Sequence, residues 1–220
     1  MHEILLIDKP VGWTSFDVVN KIRRMVADKE GKKPKSVKVG HAGTLDPFAT
    51  GLLIVLVGKE NTRRASEYSK LDKTYEVTMQ LGEVSSTGDP EGEIMPVKGS
   101  DPKLEEVEEA LQKFVGEIEQ TPPAYSAIKV NGQRAYKLAR AGKEVQLEPR
   151  KIRINRLELA DYNYPEVRFV ADVSSGTYIR SLVEDLGQAL GSGAYTSALR
   201  RTKIGEFSIK ESKTVEELTD

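Results

Sequence analysis

Apolar and polar positions alternate in two distinct rhythms along this chain. Ile4 to Ile7 forms a short apolar run that predicts a buried strand. DKPVGWTS then places proline and glycine at turn positions. Thr14 or Ser15 is positioned to cap a helix beginning near Phe16, with Val18, Val19, Ile22 and Met25 on its apolar face. ADKEGKKPKSVK reads as a flexible basic loop, and the glycine-rich GHAGTLDPFATG has no clear period. Leu52 to Val57 is uniformly apolar and predicts a fully buried strand, followed by a short helix over Asn61 to Tyr68. Thr74 to Leu81 alternates as a half-buried strand does, and GEVSSTGDPEGE reads as a turn-rich loop. Leu104, Val107, Leu111 and Phe114 mark one side of a helix ending near Val115. After an irregular stretch, a short helix is expected over Ala135 to Arg140. Neighbouring strands are expected at Ile152 to Ala160 and Val167 to Val173, then a helix over Thr177 to Leu190. A closing strand pair is expected around Gly205. Strands and helices mix without a repeated βαβ unit, so the fold class is mixed α/β (α+β).

Composition narrows the class. The 220 residues suffice for a hydrophobic core, and 38% hydrophobic with 30% charged residues describes a globular chain. No apolar run approaches the roughly 18 residues of a membrane helix. MHEILLIDKP is too short and too soon polar for a signal peptide, so a cytoplasmic protein is expected. The absence of cysteine excludes thiolate chemistry, and two histidines are too few for a histidine-rich zinc site. Net charge is -1, but the charges are segregated. Asn20 to Gly40 holds eight Lys/Arg against two acids, and Lys129 to Arg156 holds nine against two. Asp101 to Glu119 carries seven acids and two lysines. Local basic faces bind phosphate whatever the net charge, and the same runs also serve as plain solvated surface.

The candidate chemistry centres on Gly40 to Gly51. Asp46 lies in this loop beside Pro47, whose ring restricts the aspartate backbone. Such an aspartate serves as nucleophile or base, or as the anchor of an Asx turn. His41 is an acid, a base, a phosphate contact or a structural imidazole. No Gly-Lys-Ser/Thr closes the loop, so it is not a Walker phosphate loop. Arg180 falls near a helix start, against the helix dipole, a position that makes sense beside a carboxylate or phosphate. Tyr75 and Tyr178 are candidate platforms for an unstacked base, or ordinary core aromatics. Tyr125, Lys129, Arg134, Tyr136 and Arg140 interleave aromatics with cations, a pattern that suits RNA as well as a surface hairpin.

Together these segments resemble the TruB family of tRNA pseudouridine synthases. DKPVGWTSFDVV, KVGHAGTLDPFATGLL, KTYEVTMQLG, PPAYSAIKVNGQRAYKLAR, VSSGTYIRSLVEDLG and AYTSALRRTKIGEF occur in the family's order and cover nearly all of residues 4–212. The resemblance implies a central mixed, mostly antiparallel sheet flanked by helices and loops. One catalytic domain over residues 1–220 is implied, with an RNA-binding insertion at 120–149 and no full C-terminal RNA-binding domain. It implies Asp46 as the catalytic carboxylate, Tyr75 stacked on the target base, and Arg180 as the aspartate's ion-pair partner. His41 would help dislodge the flipped base, Leu199 would line its pocket, and Lys9 would organise the site. Gly43, Thr44, Tyr178, Tyr125, Lys129 and Arg134 complete the implied substrate contacts. The expected substrate is the T-loop uridine at position 55 of tRNA, with no cofactor or metal and a monomeric enzyme. A guide-RNA-dependent catalytic subunit and a silent tRNA-binding or tRNA-folding protein are the alternatives.

Overall fold

A computed structural model describes residues 3–130 and 132–218. By internal packing the chain divides into two compact units, residues 1–76 with 199–220, and residues 77–198.

The first unit opens with β1 (Glu3–Lys9) and α1 (Ser15–Lys29). Thr14 caps α1 in a capping box with Asp17, which satisfies two of the helix's orphan donors. The buried face of α1 is Val18, Val19, Ile22, Val26 and Ala27; Met25 is only partly covered, so the apolar stripe is shifted from the expected one. The helix also runs through Ala27 to Lys29, which the sequence assigned to the basic loop, and a 3-10 turn at Pro34–Ser36 interrupts the remainder of that loop. β2 (Val39–His41) and β1 both pair antiparallel with β3 (Thr50–Val57). Leu52 to Val57 are all 0% exposed, as a strand buried on both faces requires. The expected single helix over 61–68 is two short ones, α2 (Lys59–Arg63) and α3 (Ala65–Ser69).

β4 (Lys73–Leu81) starts in the first unit and ends in the second, with the alternating burial that the sequence predicts. The second unit continues with β5 (Glu83–Ser85) and β6 (Ile94–Pro96), a small hairpin where a plain loop was expected. α4 (Leu104–Lys113) buries Val107 and Leu111 while Leu104 is exposed. β7 (Gly116–Gln120) was not anticipated. β8 (Lys129–Val130) and β9 (Gln133–Arg134) form a second hairpin before α5 (Ala135–Arg140). The long pair β10 (Arg150–Asn163) and β11 (Glu166–Val173) is antiparallel, with β7 on the far edge of β10. α6 (Ile179–Ala189) follows. β12 (Ala194–Ile204) leads back into the first unit, where it runs parallel to β3. β13 (Phe207–Ser208) turns back on β12 around Gly205, and β14 (Lys213–Thr214) pairs parallel with β1. The fold is therefore the expected mixed α/β class, a central mixed and mostly antiparallel sheet flanked by helices. No helix among the described residues is long and apolar enough to cross a membrane.

Candidate active site

In the first unit, the segment between β2 and β3 is held by its backbone. Leu45 is clasped by Ser15, whose Oγ accepts from the Leu45 N–H (2.8 Å) and donates to the Leu45 carbonyl (3.1 Å). The Pro47 carbonyl accepts from the Gly12 N–H at 2.8 Å and from Lys9 Nζ at 3.3 Å. Asp46 lies between these two clasps, half-buried, and its own carbonyl accepts from Ala49 N–H at 3.2 Å. A carboxylate with fixed neighbours on both sides suits a group that must meet one atom of a substrate.

Lys9 is 0% exposed, and its ammonium also donates to the Pro10 and Trp13 carbonyls at 2.8 and 2.6 Å. It thus joins the β1–α1 turn to the Asp46 loop. His41 closes β2. Burial pushes its imidazole below the ordinary value, the Arg201 charge adds to this, and a hydrogen bond with the Gly43 backbone acts the other way. The ring is therefore neutral at physiological pH. Its Nδ1 is buried with no hydrogen-bond partner among the described residues. Gly43 has φ +102°, a left-handed conformation suited to glycine, and Thr44 is exposed. Tyr75 on β4 and Leu199 on β12 are each 8% exposed.

In the second unit, Arg180 occupies the first turn of α6 and is 5% exposed. Its Nη1 donates to the Thr87 carbonyl and its Nη2 to that of Tyr125, both at 2.8 Å. The anion that its position demands is supplied within this unit by Asp89, whose carboxylate lies 3.3 Å from Nη1 and is equally buried. Asp89 in turn accepts from Thr87 Oγ1 (2.6 Å) and the Glu91 N–H (3.0 Å). Glu184, one turn further along α6, has its carboxyl pushed up by burial, an effect that the Arg180 charge opposes. Tyr178 is the N-cap residue of α6, and Gln120 grips its backbone through both amide atoms, at 2.8 and 3.0 Å. Lys129 and Arg134 face each other across the β8–β9 hairpin, and both are exposed. The Arg134 guanidinium donates to the Ala127 carbonyl, just before β8. Arg140 lies over the Tyr136 ring, 5.8 Å from its centroid.

The structure thus brings Lys9, His41, Gly43, Thr44 and Asp46 into one neighbourhood of the first unit. It brings Tyr125, Tyr178 and Arg180 together in the second. Lys129 and Arg134 stand on their own hairpin. Sequence reasoning missed Ser15, Asp89, Gln120 and Arg201. Arg201 alone carried a readable signal: it lies two residues after Leu199, on the same inward side of a strand, where an arginine is out of place.

Two family models match, the TruB family pseudouridylate synthase N-terminal domain over residues 29–179 and the tRNA pseudouridylate synthase B C-terminal domain over residues 180–220. The chain is 47% identical to tRNA pseudouridine synthase B of Phocaeicola vulgatus, over 97% of this chain and 90% of that protein. It is 44% identical to the protein of the same name from Aquifex aeolicus, over 99% of this chain and 73% of the other. Among solved structures it resembles a chain of the archaeal box H/ACA sRNP Nop10–Cbf5 complex, with TM-score 0.71 and 27% identity. That match covers 99% of this chain and 52% of the other, so this chain spans about half the length of that relative. With the family models spanning residues 29–220 and identity of 44–47% to curated relatives along nearly the whole sequence, the chain belongs to the TruB family of tRNA pseudouridine synthases.

Proposed function

We propose that this protein isomerises the T-loop uridine at position 55 of tRNA to pseudouridine, with Asp46 as its catalytic carboxylate. The reaction breaks the N1–C1′ bond, turns the uracil and forms a C5–C1′ bond; the proton lost from C5 is balanced by one gained at N1. Asp46 attacks ribose C1′ or assists formation of a glycal intermediate. The supporting observation is the double clasp that fixes the loop on either side of Asp46, by Ser15 at Leu45 and by Gly12 and Lys9 at Pro47. Tyr75 stacks on the flipped base and Leu199 lines its pocket. Arg180 ion-pairs with Asp46 in addition to its contact with Asp89, and keeps the nucleophile ionised. His41, as a neutral imidazole, assists extrusion of the base, which costs a few kcal/mol of unstacking. Gly43, Thr44 and Tyr178 shape the pocket, and Tyr125, Lys129 and Arg134 in the 120–149 insertion hold the T-arm. That insertion includes Asn131, which lies outside the described residues. The enzyme is read as one catalytic domain, monomeric and cytoplasmic, without cofactor.

The test is pseudouridine formation in a T-arm hairpin incubated with the purified chain alone. Product without added RNA or protein separates this reading from that of a guide-dependent subunit, which the likeness to a chain of the box H/ACA sRNP complex raises. Asp46→Asn should fold and bind the hairpin while its single-turnover rate falls by more than about 100-fold. Residual turnover within about tenfold of wild type would remove Asp46 from the chemistry.

A further inference from the structure

Arg201 stands where a cation is costly. It is 1% exposed, and among the described residues no carboxylate ion-pairs with it. Its donors are met instead by backbone carbonyls. Nε donates to Leu52 at 2.8 Å, Nη2 to Gly43 at 3.1 Å, and Nη1 lies 3.5 Å from the Thr44 oxygen. Gly43 and Thr44 precede Asp46, and Leu52 follows it. One planar guanidinium therefore ties together the two flanks of the segment that presents the aspartate. The arginine's own backbone is equally constrained. In the parallel pair of β12 and β3 it is in register with Gly51. Gly51 has φ +105°, and a Cβ there would fall 2.3 Å from the Arg201 carbonyl oxygen.

We propose that Arg201 is a positioning residue for the isomerisation, setting the backbone path of residues 43–52 and holding a fixed positive charge beside His41. This rests on the reading of Asp46 as the catalytic carboxylate. Arginine is the side chain for such a task. Its fork meets several acceptors in one plane, and it keeps its charge when buried, where a lysine would shed a proton. A hydrophobic residue of similar volume would take the guanidinium donors away from the buried Leu52 carbonyl and from those of Gly43 and Thr44. The charge has a second effect. A permanent cation disfavours another near it, which adds to the larger effect of burial in holding the His41 imidazole below its ordinary value. The base-extruding histidine is then a neutral donor and acceptor, and the charge that Arg201 brings near it is fixed in place.

The experiment uses the full chain, as wild type, Arg201→Met and Arg201→Lys, with Asp46→Asn alongside. Single-turnover rates on a T-arm hairpin at saturating enzyme are measured beside dissociation constants and NMR titration of the His41 ring, with His2 as the one other histidine to assign. Arg201→Met should slow the chemical step by about 100-fold, as small misplacements of reacting groups do, with hairpin affinity within about threefold of wild type. Its His41 titration should move up towards the ordinary value. Arg201→Lys should recover the rate only in part, because an ammonium cannot span both flanks and loses its proton more readily when buried. A folded Arg201→Met whose chemical step is within about threefold of wild type overturns the proposal. So does a loss of rate with an unmoved His41 titration, which marks a purely structural arginine. If Arg201→Met does not fold, Arg201→Lys decides, and an unchanged chemical step there overturns the positioning role. Asp46→Asn reports separately on the underlying reading: an active Asp46→Asn overturns that assignment, whatever Arg201 does.

Discussion

Among the described residues of the first unit, three cations are buried and hydrogen-bonded to main-chain oxygens: Lys9, Lys73 and Arg201. Burial, reinforced by the Arg201 charge, pushes the Lys73 ammonium down to about 8, and Asp72 only partly opposes this. The unfolded chain holds that proton up to about pH 10.4. Between pH 8 and that value the unfolded state binds more protons than the folded one, so stability rises with pH across this window. Below pH 8 both states are protonated and the full cost of the buried charge is present. Lys73→Met should therefore lose the part of the rise between pH 8 and 10 that wild type owes to this group. Urea denaturation of both proteins at pH 7, 8, 9 and 10 measures it. Parallel stability curves would show that Lys73 is solvated and ordinary.

Helix α6 carries Arg180 on a tightly seated frame. Gly187 has no room for a side chain: a Cβ would meet the Ala194 nitrogen at 2.4 Å and the Gly193 carbonyl carbon at 2.6 Å. Alanine in a helix gains roughly 1 kcal/mol over glycine by propensity, but here the helix must move off the turn into β12. Gly187→Ala should be net destabilising by about 1–3 kcal/mol, read from denaturation midpoints, and should slow turnover by displacing Arg180. A more stable Gly187→Ala would refute the packing argument. The elements with strong period were legible in the sequence. α1, β3, β4, β10, β11 and α6 follow apolar spacing that needs no knowledge of neighbours. β5 and β6 were not, because Ile94 to Pro96 are all exposed and leave no apolar signature. β7 reads GEIEQ, too charged to stand out, and becomes a strand by pairing with β10. The same distinction separates the site residues. Asp46 and Arg180 break local expectations, one before a proline in a glycine-rich loop and one against a helix dipole. Asp89, Gln120 and Ser15 break none, since their partners lie 91, 58 and 30 positions away along the chain.

For the molecule as a whole, a net charge of -1 conceals separated basic segments, and RNA affinity should depend on salt accordingly. Each phosphate contact contributes about 0.7–0.9 to the slope of log affinity against log salt. Exchanging both Lys129 and Arg134 for glutamine should lower that slope by about 1–2 and leave the chemical step of bound hairpin near wild type. The single tryptophan, Trp13, supplies the titration signal, because it lines an open cleft of about 410 Å³ with Lys21 and Arg24. An unaltered slope would remove the β8–β9 hairpin from the interface. The division of the chain has a consequence for its synthesis. Residues 77–198 form an uninterrupted unit, but the other unit is closed only by residues 199–220. Arg201 reaches back 149 positions to Leu52 and 158 to Gly43. At roughly 5–20 residues per second, a ribosome delivers it about 8–30 s after the loop it ties down. The loop bearing Asp46 is made well before the residue that joins its flanks, so a nascent chain released before β12 carries Asp46 with Gly43 and Leu52 not yet tied together.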